Sequence, residues 1–105
     1  MPLRGKKLGI LLSVRPDHPS FRHGLGLAEA ALGQGVQVYL YCIDDAVTGL
    51  GDIQLQSLKD SGMKLFACAY GAERRNLPRN DLAIFAGLTV VSDLVSSTDR
   101  FVSFN

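Results

Sequence analysis

Among the side chains of this sequence that can serve as nucleophile, base or metal ligand, Cys68 occupies the setting best suited to chemistry. It lies at or near the carboxyl end of the apolar run Lys64 to Ala69, which reads as a strand, and a helix start is expected just after it, at Tyr70 or Gly71. Amides at a helix N-terminus carry partial positive charge, which favours thiolate over thiol and so supplies nucleophile near neutral pH. Arg74 and Arg75 add positive charge nearby, but six and seven residues along a helix is about 9 to 10 Å of rise, so contact with the sulfur requires a bend. The plain alternative is a cysteine that fills space, since free cysteine is among the most buried residue types. Cys42 is read as core. If two strands separate it from Cys68 the span is about 9 to 10 Å, beyond the roughly 7 Å limit for a disulfide, and if their strands are neighbours pairing stays open.

Three other constellations carry less. Gly24-Leu25-Gly26-Leu27-Ala28-Glu29 begins like a dinucleotide fingerprint, but it ends in Glu and lies about ten residues beyond the preceding strand, inside a helical pattern. Its amides are therefore not placed to cradle a pyrophosphate, and helix packing is the expected use. Asp44 and Asp45 stand at the end of the second strand, where a dinucleotide enzyme holds a ribose; without the glycine loop they read as loop caps. His18 and His23 with Asp17 could form a base or a metal site, but no matching Cys, His or Glu cluster accompanies them, and a solvated loop end is expected.

The elements that must position these residues alternate. Leu8 to Leu12 is a continuous apolar run, as in a strand buried on both faces. Phe21, Leu25, Ala28 and Leu32 follow at helical spacing, with Ser20 as N-cap and Gly33 and Gly35 as the stop. Val36 to Ile43 gives a second strand. Asp44 to Asp52 gives a loop with room for one helical turn near Ala46, and Ile53 to Ser61 a short helix capped by Asp52 with Leu55 and Leu58 inward and Gly62 as its end. After the third strand, Gly71 to Arg75 makes a helical turn that cannot run far past Pro78. Leu82 to Ala86 reads as a fourth strand, with a helical reading open for so short a run. Val90, Val91, Leu94 and Val95 make a helix with Thr89 as its cap, and Arg100 to Phe104 a terminal strand. This succession predicts an α/β fold: one three-layer α/β/α domain over residues 1–105 with a mainly parallel sheet of about five strands, in a flavodoxin-like arrangement.

Composition narrows the partners. The chain has 105 residues, 47% of them hydrophobic and 20% charged, enough apolar surface for one core and too much for a disordered segment. Eleven Lys and Arg against ten Asp and Glu leave a net charge of +1, so no field draws in nucleic acid or an anionic membrane. Two cysteines do not make a disulfide scaffold, and reduced thiols in a cytoplasmic location are expected. Leu8 to Val14 behind the basic start imitates a signal peptide, but it breaks into Arg15 to His18 without a cleavage site, and no later stretch reaches the roughly 20 residues of a membrane span.

With these residues in view, the sequence resembles the DsrE/DsrF/TusD family of small sulfur-relay proteins. Cys68-Ala69-Tyr70-Gly71-Ala72-Glu73-Arg74-Arg75-Asn76 is similar to that family's Cys-x-x-x-Ala-x-Arg-Arg-Gly segment, and Cys68 falls on its sulfur-carrying cysteine. Ala28 to Leu32 with Gly35 resembles its first helix and turn. Ala86-Gly87-Leu88, Asp93-Leu94 and Asp99 to Phe104 resemble its closing helix and strand. Asn76 departs from the family's glycine; asparagine is the next residue most tolerant of a left-handed backbone, so the turn is expected to survive.

The resemblance implies that Cys68 accepts sulfane sulfur as a persulfide and passes it on. Helix-terminus amides and Arg75 would then stabilise the anion, Arg74 would add positive charge, and Gly71 would leave room for a partner's sulfur-bearing tail. No cofactor or metal is implied. The implied partners are other sulfur-relay proteins, as thiol or persulfide donors and acceptors, and further copies of the chain in a homotrimer or homohexamer. The competing reading from the same resemblance is a non-catalytic structural or partner subunit. A nucleotide-binding module is disfavoured, because Ser13 to Ser20 lacks a phosphate loop.

Overall fold

Runs that are apolar at nearly every position become the middle of a sheet. The computed structural model describes residues 2–105, in which five strands pair in parallel. The elements are β1 (Lys7–Leu12), α1 (Pro19–Gly33), β2 (Gln37–Cys42), a 3-10 helix (Asp44–Gly49), α2 (Ile53–Asp60), β3 (Lys64–Cys68), α3 (Ala69–Arg74), β4 (Ile84–Ala86), α4 (Thr89–Ser97) and β5 (Arg100–Phe104). The strand order is β4-β3-β2-β1-β5. Three crossovers step in one direction, and α4 then carries the chain back to the opposite edge.

Register divides the side chains between two faces, because strand residues alternate. Leu12 pairs with Cys42, and Cys42 with Ala67. These residues, with Ile10, Val38, Leu40 and Leu65, share the fully covered face, against which α1 packs Phe21, Leu25 and Ala28. The approach is close: a Cβ on Gly24 would stand 2.5 Å from Leu12 Cδ2, so the expected packing use of the glycine-containing segment is what α1 displays. The other face carries Gly9, Leu11, Tyr39, Tyr41, Phe66 and Cys68, and α4 crosses it beside β1 and β5. This face is covered less completely. Leu11, Tyr39, Phe66 and Phe101 are half-buried, and Ile84 on β4 is exposed.

Helix ends follow local rules with two corrections. Ser20 does not cap α1: His18 is the N-cap, its Nδ1 accepting from the Ser20 amide at 3.1 Å, and Pro19 opens the helix. Proline suits that position because the first helical amide has no partner in any case. Thr89 likewise is the first residue of α4, with Leu88 as its N-cap. Asp52 caps α2 as expected, accepting from the Leu55 amide at 3.1 Å. Its carboxylate also binds the Arg22 guanidinium, joining α2 to α1, and that hydrogen bond holds Asp52 below the usual carboxylate range. Gly35 and Gly62 take positive φ values of 79° and 114°. Asn76 takes φ 55°, so the asparagine does adopt the left-handed turn after α3.

Candidate functional site

Strand β3 delivers Cys68 to the carboxyl edge of the sheet and the chain turns at once into α3, so Cys68 is the N-cap of that helix. Its Sγ accepts the Gly71 amide at 3.3 Å. An amide aimed at sulfur stabilises negative charge there, which a hydrocarbon neighbour would not. The residue is 4% exposed, yet it lines an open cleft of about 560 Å³ whose walls include Ile43, Asp44, Tyr70, Arg74, Arg75 and Leu88. The sulfur is thus recessed at the floor of a cleft, between full exposure and burial in hydrocarbon.

Arg75 turns back toward the start of α3, to the Gly71 carbonyl and not to the sulfur itself. Helix α3 has six residues, and Arg75, the first beyond it, folds its side chain back. Arg75 Nη1 donates to the Gly71 carbonyl at 3.1 Å and Nη2 to Asp45 Oδ1 at 2.9 Å. A Cβ on Gly71 would lie 3.6 Å from Cys68 Sγ and 3.7 Å from Arg75 Nη1, ordinary contact distances, so Gly71 lies next to both groups but its lack of a side chain is not forced by them. Arg74 turns away onto the Tyr70 ring, 5.6 Å from its centroid. Gly71 therefore bonds both the Cys68 sulfur and Arg75, and Arg74 and Arg75 both line the cleft.

Two residues were not placed in this site by sequence. Asp45 is not a loop cap: no side chain caps the 3-10 helix, and the carboxylate pairs with Arg75 across two neighbouring strand ends. The signal was present in the pattern, since loops following adjacent parallel strands converge at the carboxyl edge. Tyr41 reads as an ordinary strand residue. Its side chain is fully buried on the Cys68 face, and its hydroxyl donates to the Ala86 carbonyl at 2.9 Å. Burial first, then the nearby charge of Cys68, pushes the Tyr41 hydroxyl above its ordinary range and keeps it protonated.

The remaining candidates stay apart. His18 caps α1 and Asp17 pairs with Arg15. Among the described residues no three His, Cys, Asp or Glu side chains group as metal ligands. The strands of Cys42 and Cys68 are neighbours, but Cys42 pairs with Ala67, so alternation turns the two thiols to opposite faces and both are free.

Cys42 is fully buried, and burial pushes its thiol from the ordinary 9.0 up to about 12. The folded chain therefore holds this proton where the unfolded chain releases it, and stability is lost as pH rises from about 9 toward 12. Denaturation midpoints measured from roughly pH 8 to 11 are expected to fall less steeply in Cys42→Ala than in the wild type. Equal slopes would contradict this burial effect.

A search of curated proteins finds no match. Among solved structures, the ychN protein from E. coli superposes with a TM-score of 0.77 at 20% identity, covering 95% of this chain and 99% of that one. At that identity the likeness establishes the α/β fold. No helix among the described residues is long and apolar enough to cross a membrane. The model of the DsrE/DsrF-like family matches residues 6–104, nearly the whole chain. On that match, the chain belongs to the DsrE/DsrF-like family.

Proposed function

We propose that this protein is a sulfur carrier that accepts sulfane sulfur on Cys68 and hands it on as a persulfide. The observation that carries the reading is the Cys68 sulfur itself, held by the Gly71 amide in an open cleft whose wall includes Arg75. The Cys68 thiolate attacks the outer sulfur of a donor persulfide. A new S–S bond forms to Cys68, the donor's S–S bond breaks, and the donor leaves as a thiolate. An acceptor thiolate then attacks the outer sulfur and restores the Cys68 thiolate. The sulfane sulfur changes owner without net oxidation, so neither half needs a redox cofactor. The Gly71 amide supplies a hydrogen bond to the sulfur during the exchange. A recessed sulfur selects donors that present their sulfur on a slender tail.

The test is peptide mass spectrometry after incubation with a small persulfide donor. One added sulfur is expected on the Cys68 peptide and none on the Cys42 peptide; an unmodified Cys68 peptide would remove the reading. The alternative, a non-catalytic subunit, has one observation in its favour, the 4% exposure of Cys68.

Assembly as a homotrimer or homohexamer, and contact with thiol or persulfide proteins of a cytoplasmic relay, belong to the same proposal. Their support is apolar surface at the cleft: Tyr70 is 66% and Leu88 60% exposed, and the sheet face that carries Cys68 is only partly covered. Light scattering is expected to give a mass above that of one chain, and Leu88→Glu to lower it. A monomeric wild type would contradict the assembly.

A further inference from the structure

Tyr41 is the largest fully buried side chain among the described residues, and it lies on the face of the sheet that carries Cys68. In register, Tyr41 pairs with Phe66, two residues before Cys68, so all three point to one face of the sheet. Cys68 in turn pairs with Ala86, whose carbonyl accepts the Tyr41 hydroxyl at 2.9 Å. The ring thus reaches across β3, and its hydroxyl ends on the β4 carbonyl of the residue paired with Cys68.

A phenol has one proton to donate and rotates freely about its C–O bond. With a neutral thiol at Cys68, the carbonyl is the better acceptor. With an anionic sulfur, a charge-assisted hydrogen bond is about twice as strong as a neutral one, and the sulfur becomes the better acceptor. Burial keeps the phenol protonated, so the donor is never lost by ionisation. We infer that Tyr41 is a positioning residue for sulfur chemistry at Cys68, swinging its hydroxyl from the Ala86 carbonyl to the sulfur whenever that sulfur carries negative charge. Gly71 supplies a fixed donor from the α3 side and Tyr41 a movable one from the sheet, so the anion is gripped on two sides while the cleft stays open for a partner.

The other titratable or charged groups at the cleft are Tyr70, Arg74 and Arg75 from the α3 segment and Asp44 and Asp45 from the 3-10 helix. The β4–α4 link contributes Gly87 and Leu88, which carry no charge. All of these stay unchanged when position 41 alone is altered.

This inference deepens the sulfur-carrier reading, and its test uses no sulfur donor, so the two can fail separately. Iodoacetamide alkylation of Cys68 is followed by peptide mass spectrometry across pH in three proteins: wild type, Tyr41→Phe, and a chain with fluorotyrosine placed at position 41. Tyr41→Phe removes the hydroxyl and little volume. It is expected to shift the alkylation profile about one pH unit upward, a roughly tenfold lower rate on the rising limb. Fluorotyrosine is a stronger donor of nearly the same shape and is expected to label faster than wild type on that limb. A folded Tyr41→Phe protein within twofold of the wild-type rate would overturn the inference. So would a fluorotyrosine protein no faster than wild type, since a packing role predicts no acceleration. Should Tyr41→Phe fail to fold, the fluorotyrosine comparison decides alone.

Discussion

Cys68→Ser is expected to keep the fold and to lose sulfur uptake completely. Serine fits the space, and its oxygen can take the Gly71 amide, so the α3 cap survives. The stability change is expected to stay within about 1 kcal/mol, because one cap acceptor replaces another. The chemistry has no such substitute: a serine hydroxyl is not ionised near neutral pH and forms no S–S bond. Release of donor thiol from a small persulfide is therefore expected to fall to the rate seen without protein, while circular dichroism and melting stay near wild type. Residual uptake in this variant would move the carrier elsewhere in the chain. Cys42 is a poor substitute, since burial raises its thiol and aims it at the opposite face.

The largest stability effect is expected far from the sulfur, at Phe21. This ring is fully buried under α1, and it also seats the 3-10 helix that carries Asp45. A Cβ on Gly49 would stand 3.0 Å from Phe21 Cζ and 2.5 Å from Pro16 Cγ, so this turn closes tightly onto both rings. Phe21→Ala removes the transfer energy of the ring and leaves a cavity, together about 3 to 5 kcal/mol. Against a domain stability of about 5 to 15 kcal/mol, that is a large share of the whole. Urea denaturation is expected to show the loss, and slower sulfur uptake is expected to accompany it as the Asp45–Arg75 pair loosens. A loss below about 1 kcal/mol would mean that the site collapses around the missing ring.

Much of this was legible in the sequence, for physical reasons. Apolar runs such as Leu8 to Leu12 mark strands covered on both faces, and βα alternation implies a parallel sheet. Register is a tertiary property, and it decides what the linear pattern left open: that β2 and β3 are neighbours and that Cys42 and Cys68 face apart. The caps at His18 and Leu88 were missed because serine and threonine are the stronger local signals, whereas Pro19 fixes the actual start of α1. Asp45 and Tyr41 were missed for one reason. Each reaches its partner across strands, Asp45 to Arg75 and Tyr41 to Ala86, over 30 and 45 residues of sequence.

Sulfur carriage requires the recessed sulfur of Cys68 to be a nucleophile in the folded protein. The most direct measurement is the rate at which iodoacetamide labels Cys68 near neutral pH, in the native chain and again in denaturant. Native labelling at least as fast as that of the unfolded thiol is the expected result. Labelling that is slow in the native state and accelerates only on unfolding would make Cys68 a core residue and contradict the account.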